Sequence, residues 1–169
     1  HKKGVSLVEL LAAIVIFGLA FSLVSLVLVT YQRGQEDTYI TQQINAKGFE
    51  LIQSIETSLN QLGPTDFTLC GEENCIQFEK HFAFELINEQ IIFVEYDEPL
   101  IYVLEMNDEG LFLNGLLKTF TFMTLSDQSQ ITVNEQGTLI QVSISLVFID
   151  QRDRVYVFET LYTFVRTVL

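Results

Sequence analysis

Basic residues, cysteines and histidines are scarce in this 169-residue chain, and each shortage closes off a class of function. Lys and Arg total 9 against 22 Asp and Glu, for a formal net charge of −13. Non-specific nucleic-acid binding depends on cations that neutralise phosphates, so no direct nucleic-acid binding is expected. Arg152 and Arg154 alternate with Asp150 and Asp153 in "DQRDR", which reads as a neutral hairpin tip. Beyond His1 the only histidine is His81, set between Lys80 and Phe82 in an apolar, strand-like stretch where a structural role is expected. Cys70 and Cys75 have no further cysteines to complete a zinc site, so neither a metal nor a cofactor is expected. The acids Glu72, Glu73, Asp97, Glu98, Asp108 and Glu109 fall in predicted turns without the order of a calcium loop, and read as solvated. No nucleophile elbow, phosphate loop or metal-binding cluster occurs, and an enzyme is not expected.

Apolar residues, in contrast, are abundant, at 49% of the chain. They concentrate near the N-terminus, where Leu10 to Gln32 carries no charge. At about 1.5 Å per helical residue this run crosses a hydrocarbon layer of roughly 30 Å. A cleaved secretory signal would have an apolar region of about 7–15 residues and a small-residue cleavage site. This run is longer and passes directly into an amphipathic pattern, so a membrane-spanning helix is predicted. Lys2 and Lys3 keep the short N-terminal end in the cytoplasm and send the remainder outward. In an exported, oxidising setting, Cys70 and Cys75 around Gly71-Glu72-Glu73-Asn74 predict a disulfide that closes a hairpin, worth roughly 2 kcal/mol.

The apolar pattern then changes without breaking. Ile40, Ile44, Leu51, Ile55, Leu59 and Leu62 share one helical face, and Gly63-Pro64 is a stop signal. One helix from about Val5 to Leu62 is predicted, with bends or local melting at Gly18, Gly34 and Gly48. The rest reads as strands: "DFTLC", "CIQFE", "HFAFEL", "IIFVEY", "LIYVLEM", "LFLNG", "LKTFTFMTL", "QITV", "TLIQVSISLVFI" and "RVYVFETLYTFVRTV". Alternation is clearest over Thr119–Thr124 and Val142–Val147, and the spacers are short and turn-rich, as in antiparallel hairpins. The fold class is therefore α+β, with the outer half of a long N-terminal helix packed on an antiparallel β-sheet. The predicted divisions are a leader remnant at 1–4, a membrane helix at 5–32, its amphipathic continuation at 33–63 and an exported β domain at 64–169.

The stretch "KKG|VSLVELL" joins two lysines, Gly4, Ser6 and an acid, Glu9, five positions after the glycine, all ahead of the spanning helix. It resembles the prepilin signature of type IV pilins, type II secretion pseudopilins and competence pseudopilins. The resemblance covers about the first 30 residues closely and the later layout in architecture only. It implies cleavage between Gly4 and Val5 by a membrane prepilin peptidase, N-methylation of Val5, and an assembly salt bridge from Glu9 to a mature amine. Two features depart from the family pattern. Val5 stands where Phe is usual, and the helix proline common in major pilins, expected near Leu26, is missing. Both imply a minor subunit. The first residue is His1 rather than Met, so the leader is expected to begin further upstream.

A charged side chain in a bilayer costs about 2.5–3.5 kcal/mol at a helix centre on insertion scales, and less near the interface. Glu9 therefore calls for a cation, which the Val5 amine of the same or a neighbouring subunit would supply. Ser6-Leu7-Val8-Glu9 is also a capping box, a local role compatible with the first. The expectation is a minor pilin or pseudopilin, non-enzymatic, that helps initiate or cap a type IV-like filament of a pilus, a type II secretion system or a DNA-uptake apparatus. Its expected partners are other pilin subunits through the N-terminal helix, the peptidase and the cytoplasmic membrane. The alternative is a single-pass membrane-anchored binding protein with an acidic extracellular β domain.

Overall fold

A computed structural model describes residues 7–71 and 74–167. The fold is α+β: a long N-terminal helix, α1 (Leu7–Leu62), is followed by antiparallel strands. The chain divides into two compact units, His1–Gln43 and Ile44–Leu169. The division falls within α1, later than Arg33, where charge returns to the sequence.

In the first unit α1 runs unbroken through Gly18 and Gly34, and in the second it continues through Gly48, so the helix does not melt at these glycines. Ser22 Oγ donates to Gly18 O and Thr30 Oγ1 to Leu26 O, each at 2.9 Å. These bonds satisfy hydroxyls on an otherwise apolar surface from within the helix itself.

In the second unit, the last turns of α1 bury Ile44, Gly48, Leu51, Ile52, Ile55 and Leu59. The helix ends as its stop signal predicts: Gly63 takes φ +59° and its N–H donates to Leu59 O at 2.8 Å, before a buried Pro64. A five-stranded sheet follows, in the order β1 (Asp66–Leu69), β2 (Cys75–Ile87), β3 (Gln90–Asn107), β4 (Gly110–Leu113) and β5 (Leu116–Lys118). A second sheet comprises β6 (Met123–Leu125), β7 (Gln130–Gln136), β8 (Leu139–Asp150) and β9 (Val155–Val165). In it β8 is central and pairs with β6, β7 and β9. The alternation expected over Val142–Val147 is realised, with Ile140, Val142, Ile144, Leu146 and Phe148 fully buried along β8.

Three strand assignments differ from the sequence reading. "CIQFE" and "HFAFEL" form one strand, β2, and "IIFVEY" and "LIYVLEM" form one strand, β3. The register jumps from Lys80↔Leu100 to Phe82↔Glu95, so Tyr96 to Pro99 bulge opposite His81 without ending the ladder. The "LKTFTFMTL" segment is the opposite case. It breaks over 119–122, where the chain crosses between sheets, and Phe120 packs on Phe148 at 4.9 Å between ring centroids.

Several contacts between helix and sheet are made by β9. Phe158 stacks edge-on against Phe49 at 5.7 Å, Tyr162 Oη donates to Leu59 O at 3.1 Å, and Thr160 Oγ1 donates to Glu56. A Cβ on Gly48 would clash with the edge of the Phe158 ring, so glycine serves here for close approach. Gly48→Ala is expected to lower stability by about 1–3 kcal/mol through overpacking, in spite of the roughly 1 kcal/mol gain in helix propensity. Thermal unfolding would measure it, and a raised midpoint would mean that the ring swings aside freely.

Candidate functional site

The N-terminal half of α1 is the surface that the β domain does not need. Leu7, Val8, Leu10, Leu11, Ile14 and Phe17 are all exposed, and the exposed apolar series continues to Val29. The helix is long and apolar enough to cross a membrane, and none of its most apolar window is buried. A buried core helix would show the reverse. This exposure is compatible with a single membrane anchor.

Glu9 lies in the first turn of α1 and is exposed on this apolar surface. An acid there is favourably placed near the positive end of the helix dipole. Gly4, Val5 and Ser6, the expected cleavage, methylation and capping positions, lie outside the described residues. Glu72 and Glu73 lie outside them as well.

Cys70 and Cys75 form a disulfide with Cα atoms 5.2 Å apart, closing the β1–β2 hairpin as expected. Beside it, Asn74 adopts φ 64° and ties the turn to two strands, β3 and β7. Its carbonyl accepts from Met106 N–H at 2.9 Å, and its Oδ1 accepts from Ile131 N–H at 2.9 Å, joining the disulfide turn to β7 of the other sheet. Sequence reasoning saw only a turn residue here. An Asn between a short loop and a cysteine was its one signal, since Asn tolerates the left-handed region.

The expected turn acids divide. Asp108 and Glu109 do sit at a hairpin tip, where Glu109 N–H donates to Asn107 Oδ1 at 2.9 Å. Asp97 and Glu98 do not: they lie within β3, in its bulge, because the ladder resumes beyond Pro99. Among the described residues, no group of three or more His, Cys, Asp or Glu is arranged to hold a metal ion. His81 Nε2 lies 3.0 Å from Glu79 Oε2, and its backbone N–H donates to Thr65 Oγ1 at 3.1 Å, which makes it part of the junction between helix end and sheet.

"DQRDR" proves to be more than a neutral tip. Asp150 is buried, and its Oδ1 accepts from the N–H groups of Arg152 and Arg154 at 2.8 and 2.9 Å. Its Oδ2 accepts from Arg154 Nε at 2.7 Å. Burial pushes the Asp150 carboxyl up, but the Arg154 and Arg152 hydrogen bonds and the Arg154 charge together outweigh it, and the net direction is down. The cation of Arg154 is thus committed to the turn.

The chain matches no protein-family model, no curated protein and no solved structure. Function therefore has to be argued from the residues themselves.

Proposed function

We infer that this chain is a minor subunit of a type IV pilin-like filament, non-enzymatic, which helps to initiate or cap assembly. The observation that carries the reading is Glu9 in the first turn of an exposed, membrane-length helix, five residues after Gly4. On this reading a prepilin peptidase cuts after Gly4 at the cytoplasmic face, and the new Val5 amine is methylated. The amine then supplies the cation that the Glu9 carboxylate needs in an apolar setting. Pairing with a neighbouring subunit selects one axial stagger as helices pack, and the acidic β domain faces outward. The protein thus starts as a single-pass protein of the cytoplasmic membrane and ends in an extracellular or periplasmic filament.

The test is the intact mass of the protein purified from membranes of cells that contain an active prepilin peptidase. The expected product starts at Val5 and carries one added methyl group. An intact Gly4–Val5 bond sinks the reading. It would favour instead the membrane-anchored binding protein, for which the exposed apolar hairpin described next is the specific support.

A further inference from the structure

The outer parts of β2 and β3 form a two-stranded arm in which Phe82 to Ile87 pairs with Gln90 to Glu95. Its neighbours stop short of it. β1 pairs with β2 only over Ile76–Glu79, and β4 pairs with β3 only over Leu104–Asn107. Both edges of the arm are therefore open among the described residues, and an isolated two-stranded ribbon is marginal in water.

Residues paired across an antiparallel ladder share a face, so Phe84 with Phe93 and Leu86 with Ile91 form one apolar surface that continues from Phe82. Phe84, Leu86 and Ile91 are 69%, 73% and 76% exposed, far more than hairpin side chains with a partner surface would be. Phe82, Phe84 and Phe93 are in mutual ring contact, so the face is ordered by its own aromatic packing.

Charge identifies the occupant. From Phe82 to Leu117 the chain contains no Lys, Arg or His. Glu95 shares that face opposite Phe82, Glu89 sits in the tip turn, Asp97 and Glu98 lie in the bulge at the base and Glu85 is on the reverse face, and all five are exposed. The tip turn places Asn88 and Glu89 at φ 51° and 62°, where Asn-Gly is the favoured pair, so a carboxylate occupies a position that glycine would fill with less strain. A second copy would bring two such acidic rims together without a compensating cation, and an anionic lipid surface would repel the rim. A polypeptide with apolar side chains between Lys or Arg residues meets both demands: it covers the face, pairs with an open edge and neutralises the rim.

We propose that the Phe82–Glu95 arm is a docking element for an extended, basic and apolar segment of another protein. This stands independently of the filament reading. The probe is a synthetic peptide alternating Lys with Val and Phe, titrated by fluorescence anisotropy against the full chain in detergent. A matched peptide with Glu replacing Lys is the control. The basic peptide is expected to bind, to protect amides of the arm from hydrogen exchange, and to weaken at least tenfold on Phe84→Ser/Ile91→Ser. Glu85→Gln/Glu89→Gln/Glu95→Gln, which leaves the apolar face intact, is expected to weaken it similarly. Far-UV circular dichroism checks that both variants keep the fold. No binding, or binding that survives the serine substitutions, overturns the proposal. So does a dimer that the serine substitutions dissolve, which assigns the face to a second copy. Amide protection of the arm in phosphatidylcholine nanodiscs without peptide overturns it as well, in favour of lipid.

Discussion

Glu9→Gln is expected to deplete this chain from assembled filaments by roughly 100-fold while leaving its insertion in the membrane intact. A hundredfold change corresponds to about 2.8 kcal/mol. Breaking a buried ion pair by removing one partner costs about 3–5 kcal/mol, so the figure allows for partial exposure of the pair. Glutamine is the informative replacement. It retains the capping-box pattern, which accepts Glu or Gln, and loses only the charge. Insertion is not impaired, since a neutral amide enters hydrocarbon more easily than a carboxylate. Glu9→Asp keeps the charge one methylene further back and is expected to give intermediate incorporation. The ratio of subunit in sheared filaments to subunit in membranes measures the effect. Wild-type incorporation of Glu9→Gln would remove the salt bridge and leave Glu9 with a capping role.

Asp150→Ala is expected to cost about 3 kcal/mol of stability, on the order of 10 °C in the unfolding midpoint of a domain this size. The carboxylate terminates β8 and holds the turn into β9 through two backbone N–H groups and the Arg154 guanidinium. Its removal leaves those donors without their acceptor, at about 1–3 kcal/mol for each group that water cannot reach. The same interaction has a pH signature. The folded-state pKa of Asp150 lies below its unfolded value. Its contribution is therefore fully present above the ordinary carboxylate pKa of about 3.9 and is lost as pH falls through the lower folded value. Wild type should lose its advantage over Asp150→Ala below about pH 4. Equal midpoints at neutral pH would show that the turn is held by something else.

The parts of this fold that depend on neighbours in sequence were readable from the sequence. The apolar run, the Gly63-Pro64 stop, the cysteine hairpin and the alternation along β8 each carry a local cause. What escaped depends on contacts far along the chain. Gly48 looks like a weak point in a helix until Phe158 is placed against it. Thr119-Phe120-Thr121-Phe122 alternates like a strand, yet it lies at the crossing between two sheets and has no ladder to join. Asp97 and Glu98 read as a turn between two strands, but they sit in a bulge that β3 passes through. The candidate site divides the same way. Glu9 stands out by its charge alone, whereas the docking arm emerges only once the strands flanking β2 and β3 are seen to stop short.

The dependence of α1 on β9 also sets an order of events. Glu56 meets Thr160 and Leu59 meets Tyr162 across 104 and 103 residues of chain. During synthesis the helix is made first and β9 last. Closing so long a loop gains nothing until its far end arrives. The inner face of the helix, with Ile44, Leu51, Ile55 and Leu59, thus lacks its β9 contacts until eight strands have been made. A chain stalled before β9 would leave that face incompletely covered, in addition to the exposed apolar surface from Leu7 to Val29.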